Sequence, residues 1–89
     1  MRICVTDRDI IQAAVDKAAG EPVHMCCPVA QSMKRRGFRF VEVDFASVKW
    51  WNDGRYQRAE LPPVAAEWIE KYDDRHHVGP FSFELEVTV

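Results

Sequence analysis

Two basic and two aromatic side chains with the chemistry of a ligand-binding surface are predicted to share one face of a β-hairpin. Asp53-Gly54 is a strong signal for a two-residue turn, so the residues on either side of it should pair as antiparallel strands. Side chains alternate between the two faces of a strand, and opposite residues share a face. The pairing therefore brings together Lys49, Trp51, Tyr56 and Arg58.

The chemistry of these four side chains favours a ligand that is both planar and anionic. Aromatic rings stack on nucleobases, and Lys and Arg bind phosphate. A nucleotide, a nucleic-acid strand or an acidic protein surface would fit. Lys49 and Arg58 would also face each other across the hairpin, which costs stability and suggests that another factor favours keeping them. The alternative is that Trp51 and Tyr56 only cover the sheet and that the two cations are solvated.

Further basic residues could extend this surface. Residues 34–58 contain seven basic and three acidic residues, a net charge of +4, whereas the rest of the chain carries −6. We therefore include Arg35, Arg36 and Arg55 among the candidate binding residues. For Arg35 and Arg36 the alternative is that cations at the end of a helix balance its dipole.

The cysteines and histidines offer a second kind of chemistry but no assigned site. His24, Cys26 and Cys27 lie close together in the sequence. Zinc requires four ligands, however, and His76 and His77 are adjacent residues, which rarely bind one ion together. Cys27, at a helix start, could be a nucleophile with a lowered pKa, but no oxyanion motif accompanies it. The alternative is that Cys26 packs in the core and Cys27 caps the helix. We assign no catalytic residue, no metal ligand and no cofactor.

The first predicted helix spans residues 7–19. Thr6 with Asp9 resembles a capping box in which Asp stands where Glu is usual, and Gly20 ends the helix. Apolar residues at helical spacing define its predicted inner face. They are Ile11, Ala14, Val15 and Ala18.

Similar signals mark the other elements. A second helix begins at Pro28 and runs to residue 36, and a third follows Pro62-Pro63, where apolar residues from Leu61 to Tyr72 keep helical spacing. Period-2 patterns and apolar runs predict strands over residues 1–5, 38–44, 48–52, 55–60 and 81–89. In residues 38–44 the apolar positions switch parity, which indicates a bulge or burial on both faces.

The resulting order, β-α-α-β-β-β-α-β, predicts one α+β domain over residues 1–89. Helices would cover one face of a mostly antiparallel sheet in two layers. Val48, Trp50 and Ala59, on the inner side of the hairpin, would join the core. We expect the terminal strands to be neighbours, with Arg2 close to Glu84 or Glu86.

Length and composition restrict the class of protein. A chain of 89 residues with 47% hydrophobic residues can bury a real core, although oligomerisation would add stability to so small a domain. A net charge of −2 argues against a nucleic-acid polycation. No apolar run approaches the roughly 18 residues of a membrane span, and residues 1–7 lack the apolar segment of a signal peptide. Three cysteines, an odd number, fit a reducing compartment. We therefore expect a cytoplasmic protein.

Several short stretches resemble a group of small, mostly uncharacterised proteins of bacteriophages and prophages. The resemblance covers the larger part of the chain, departs from the group at the long first helix and beyond Leu85, and carries no catalytic residue. The matching stretches are Cys27-Pro28-Val29-Ala30, Arg55-Tyr56 before Leu61-Pro62, Trp68-Ile69 with Tyr72-Asp73, and Pro80-Phe81-Ser82-Phe83-Glu84-Leu85.

This resemblance implies a phage origin and, by analogy, a role against the host. Small accessory phage proteins bind and block a host factor or sequester a host signal, and the analogy concerns their role and not a particular site. We therefore expect a non-catalytic binding protein in the host cytoplasm. Its partner would be a host protein or a nucleotide-type small molecule, bound by a monomer or by a homo-oligomer. We expect no association with a membrane. The alternatives are a nucleic-acid-binding regulator and, less favoured, a Cys-dependent enzyme.

Overall fold

The computed structural model describes residues 1–44, 46–74, 76 and 78–86. Within these ranges the chain forms β1 (Arg2–Val5), α1 (Asp7–Ala18), α2 (Val23–Cys26), α3 (Pro28–Arg35), β2 (Arg39–Val43), β3 (Ser47–Asn52), β4 (Arg55–Glu60), α4 (Pro63–Asp73) and β5 (Phe81–Glu84). The predicted α+β class is confirmed. The order also agrees, apart from α2, a single helical turn in a stretch that we expected to be a connector.

The described strands form two antiparallel sheets, β1-β5 and β2-β3-β4. In the smaller sheet Arg2 is opposite Glu84, and Arg2 Nη1 lies 3.5 Å from Glu84 Oε1. The predicted proximity of the two terminal strands is thereby confirmed. The last predicted strand is seen from Phe81 to Glu84, and residues 87–89 lie outside the described part of the chain.

The start of α1 follows the predicted capping box. The Thr6 side chain accepts a hydrogen bond from the Asp9 backbone N–H, and the Asp9 carboxylate accepts one from the Thr6 backbone N–H. These two bonds satisfy N–H groups that a helix start otherwise leaves without partners.

The predicted inner face of α1 is wrong. The helix buries Asp9 and Ala13 and half-buries Ile10. The Asp9 carboxylate binds Arg35 of α3, and this contact rotates α1 so that the predicted apolar stripe points outward. The stripe, exposed throughout, consists of Ile11, Ala14, Val15 and Ala18.

The core lies between the helices and the two sheets. α3 buries Val29, Ala30 and Met33, and α4 buries Ala65 and Ile69. The strands of both sheets contribute apolar side chains, which include Ile3, Val41, Val48, Trp50 and Phe83. By contrast, Val64 of α4 is 54% exposed although its spacing fits the apolar face of that helix.

A bulge interrupts the pairing of β2 with β3. Arg39 is opposite Trp51 and Glu42 is opposite Lys49, so Phe40 and Val41 together face Trp50 alone. Phe40 has a φ of 51°, in the left-handed region. The bulge accounts for the parity switch seen in the sequence of this strand.

The β3–β4 hairpin has the predicted register. The pairs run from Val48 with Ala59 to Asn52 with Arg55. At the turn, φ is 49° for Asp53 and 85° for Gly54, as a type I′ turn requires of both central residues. This turn determines which side chains share each face of the hairpin.

Candidate functional site

The two faces of the β3–β4 hairpin have different environments. Val48, Trp50 and Ala59 are buried in the core, as predicted. On the opposite face Lys49 and Trp51 are half-buried, whereas Tyr56 and Arg58 are exposed. We call the set of Lys49, Trp51, Tyr56 and Arg58 the outer hairpin face.

The aromatic rings of this face form one cluster with a cation. The Trp51 and Tyr56 rings meet edge to face, with centroids 5.1 Å apart and an interplanar angle of 84°. Lys49 Nζ lies 4.7 Å from the centroid of the Tyr56 ring, within the range of a cation–π interaction. Tyr56 is nevertheless 50% exposed, so its ring is open to a ligand.

The repulsion between Lys49 and Arg58, which are opposite each other, is offset by neighbouring acidic groups. Glu42 Oε2 lies 3.7 Å from Lys49 Nζ. Asp44, in the turn after β2, is close enough to Arg58 for their charges to interact: burial raises the pKa of the Asp44 carboxyl, but hydrogen bonds from Ala46 and Ser47 and the charge of Arg58 together lower it below 3.8. The negative charges of Glu42 and Asp44 therefore reduce the repulsion between the two neighbouring cations.

A depression of about 460 Å³ adjoins Lys49 and Arg58. Its volume falls within the roughly 300–1,000 Å³ of small-molecule sites. The Ser47 hydroxyl lies near its wall, where Arg58 Nε donates to Ser47 Oγ at 3.4 Å, and α2 contributes His24. A phosphate group there would meet hydrogen-bond donors and two cations, although it would compete with the carboxylates of Glu42 and Asp44.

Arg55 lies on the other face of the hairpin. It pairs with Asn52 next to the turn, and alternation places it on the side of Gln57 and Ala59. Although exposed, Arg55 is therefore not brought together with the outer hairpin face.

Arg35 and Arg36 are engaged with other parts of the protein. Arg35 donates from Nε to Asp9 Oδ1 at 3.1 Å and from Nη2 to Asp9 Oδ2 at 3.0 Å, and Nη2 also donates to the Cys4 carbonyl at 3.2 Å. Arg36 Nη1 donates to the Arg2 carbonyl. Both guanidinium groups thus donate to backbone carbonyls of β1. Through these contacts within the described chain, the two residues hold the end of α3 against β1 and, by way of Asp9, against α1.

Other residues beside the outer hairpin face were missed by sequence reasoning. Glu42 reaches Lys49 only because the bulge sets the register, and Asp44 folds back on the turn to accept from the N–H groups of Ala46 and Ser47. Phe40, at the bulge, is 59% exposed. The parity switch in the sequence of this strand was the signal for the bulge, and thus for the positions of Phe40 and Glu42.

The two buried cysteines have an environment that disfavours their thiolates. Burial raises the pKa of Cys27 to about 11, because it outweighs the lowering by the backbone N–H groups of Ala30 and Val29. Burial also raises the pKa of Cys26. The lowered pKa that the nucleophile interpretation of Cys27 requires is therefore not found. The capping hydrogen bond that the alternative interpretation expected of the Cys27 side chain is absent as well. Cys26 packs as a small buried side chain, as the alternative interpretation expected.

Within the described ranges, no group of three or more His, Cys, Asp or Glu side chains is placed to hold a metal ion. His77, one of the adjacent pair considered as ligands, lies outside those ranges. None of the described helices is long and apolar enough to cross a lipid bilayer.

Comparison with known proteins gives no relative. No protein-family model matches the chain, and no curated protein and no solved structure matches it significantly. Its function therefore has to be inferred from the geometry of its own residues.

Proposed function

We propose that this chain is a non-catalytic binding protein and that its recognition surface is the outer hairpin face. One observation carries the proposal: an aromatic pair, the half-buried Trp51 with the exposed Tyr56, shares a face with two adjacent cations. Tyr56 is 50% exposed, an exposure that favours contact with a ligand over a purely structural role.

The ligand class that fits best is a nucleotide-type small molecule. Its base would stack on the exposed Tyr56 ring, and its phosphate would enter the depression beside Lys49 and Arg58. Lys49 contacts the Tyr56 ring and lines the depression, so one ligand of nucleotide size can reach both parts. Lys49 and Arg58 lie at the surface, where salt screens their charges, so binding would weaken as salt is added. Glu42 already neutralises part of the charge of Lys49 and would make this dependence less steep.

The resemblance to phage proteins suggests the biological setting. Sequestration of a nucleotide signal in the cytoplasm of an infected cell would counteract a host defence that depends on that signal. This setting rests on the resemblance and not on the site.

Calorimetric titration with ATP and with a cyclic dinucleotide tests the ligand class. We expect binding by the unaltered protein and a loss of roughly 100-fold in affinity in the variant K49A/R58A, because two charge-assisted contacts to phosphate are removed. The matched control is R55A, which removes an exposed cation from the other face of the same hairpin and should leave affinity unchanged. Unchanged affinity in K49A/R58A would refute the phosphate assignment.

A host protein is the second candidate partner, favoured by the mixture of charges around the outer hairpin face. Lys49 lies beside Glu42 and Arg58 beside Asp44, and such paired charges suit a protein surface better than a polyanion. Trp, Tyr and Arg are also the residue types that dominate protein–protein binding energy. A photo-crosslinking residue at position 56 should capture this partner in cells, whereas the same residue at position 55 should not.

Direct binding to DNA or RNA remains the less favoured alternative. A net charge of −2 opposes it. Strong, salt-dependent retardation of duplex DNA would support a nucleic-acid-binding regulator instead.

A further inference from the structure

The exposed stripe of α1 is an apolar helix face without a partner in the described chain. Ile11 is 65% exposed and Val15 is 56% exposed, and Ala14 and Ala18 continue the stripe at helical spacing. Leaving large aliphatic side chains in water is unfavourable, and grouped exposure of this kind marks an interaction surface more often than scattered exposure does.

The stripe forms one wall of a groove. Ile11, Ala14 and Ala18 face Tyr72 of α4 and Val78 of the following loop across a cavity of about 1100 Å³. The small side chains of Ala14 and Ala18 leave room for another helix to approach closely, since interaxial distances depend on the side chains at the contact.

Two charges of α1 are placed in a way that is self-complementary. Asp7 begins the helix and Lys17 lies in its last turn, and both line the groove. If a second copy of α1 is laid antiparallel, Asp7 meets the partner copy's Lys17, and Lys17 meets the partner copy's Asp7. Asp16 takes no part in this pairing, because its carboxylate already accepts hydrogen bonds from Gln12 and from Gln31 of α3. A parallel arrangement would instead place like charges together.

We propose that α1 is a homodimer interface in which the two copies pack antiparallel about a two-fold axis near the middle of the helix. The same patch then serves both subunits, as an isologous interface requires, and the two helix dipoles oppose each other favourably. Because Asp7 and Lys17 both line the groove and carry opposite charges, the groove does not favour a strongly acidic or basic partner. This inference is independent of the ligand proposed for the outer hairpin face.

Sedimentation equilibrium of the full chain tests the proposal. At about 100 µM protein we expect a mass of twice the 10.3 kDa of the monomer. The substitution I11K should raise the dimer Kd roughly 100-fold, because each dimer loses two buried isoleucines and must desolvate two ammonium groups. Ile11 is exposed in the monomer, so the variant should fold normally. The control V64K alters another exposed apolar residue, on α4, and should leave the dimer intact.

Charge reversal tests the antiparallel arrangement. K17D should weaken the dimer about tenfold, and the double variant D7K/K17D should restore it to within a few-fold of the unaltered protein. A monomeric unaltered protein, or a dimer that I11K leaves unchanged, would overturn the proposal. A dimer weakened by K17D but not restored by D7K/K17D would overturn the antiparallel register.

Discussion

Arg35 at the end of α3 holds Asp9 in the first turn of α1 through two hydrogen bonds, of 3.1 and 3.0 Å, one to each carboxylate oxygen. The Asp9 side chain is 3% exposed, whereas that of Arg35 is 42% exposed. The pair therefore consists of a buried anion and a cation that reaches it from the surface. It joins two helices and sets the rotation of α1.

Replacing Arg35 should destabilise the fold. In R35A the buried carboxylate loses its cation and two charge-assisted hydrogen bonds, so we expect the free energy of unfolding to fall by roughly 2–3 kcal/mol. Urea denaturation followed by circular dichroism measures this change. The matched control is R36A, whose neighbouring, exposed guanidinium binds a backbone carbonyl and should cost less than about 1 kcal/mol. Equal losses in the two variants would contradict the role given to Asp9.

Stability should fall in acid as Asp9 is protonated. Burial raises the pKa of Asp9, but hydrogen bonds from Arg35 and Thr6 outweigh burial and lower it below 3.8. A carboxyl group whose pKa is lower in the folded protein than in the unfolded chain stabilises the fold at pH values above its unfolded pKa. This contribution is lost as the pH falls below about 3.8 through the folded value.

Carboxyl carbon NMR can check the direction of this shift in one titration. The midpoint of Asp9 should lie below 3.8. Asp73 provides an internal control, because burial raises its pKa above 3.8. Asp9 titrating above Asp73 would be incompatible with the ion pair described here.

The three cysteines should differ sharply in reactivity. Cys4 is exposed, whereas Cys26 and Cys27 are buried, and with a pKa of about 11 Cys27 would have only about one thiol in a thousand ionised at pH 8. Iodoacetamide at pH 8 should therefore label the native protein at Cys4 and label the other two only in urea. Mass spectrometry counts the labels, and C4S is the control that should take up none when native. Rapid labelling of native Cys27 would revive the thiol-enzyme alternative.

At position 40, glycine should give a more stable protein than alanine. The φ of 51° at Phe40 is unfavourable for any residue with a Cβ, and the Phe40 side chain is 59% exposed, so little packing is lost on truncation. We expect F40G to be more stable than F40A by roughly 1 kcal/mol, opposite to the usual order within a strand. Thermal denaturation of the two variants side by side measures the difference. If F40A were the more stable variant, residue 40 would not adopt the left-handed backbone conformation described for the bulge.

Features set by local chemistry could be predicted from the sequence. The Thr6–Asp9 capping box, the Asp53-Gly54 turn and the register that follows from it need only a few neighbouring residues. Hence the faces of the hairpin, with Trp50 inward and Trp51 outward, were correctly predicted.

Features set by contacts between distant segments could not be predicted. Periodicity shows that α1 has an apolar stripe, but which face packs inward depends on the contact of Asp9 with Arg35, a residue 26 positions away. For the same reason the sequence could not show that the guanidinium of Arg35, one of the candidate binding residues, contacts Asp9 and the Cys4 carbonyl. The pairing of Glu42 with Lys49 depends on the register that the bulge creates.

The most direct test of the outer hairpin face is native mass spectrometry of three proteins purified in parallel from bacterial host cells: the unaltered chain, K49A/R58A and R55A. We predict that the unaltered chain and R55A carry the same bound species, of nucleotide or protein mass, and that K49A/R58A has lost it. A bound species that K49A/R58A retains, or an unaltered chain that carries none, would contradict the assignment of this face as the recognition surface.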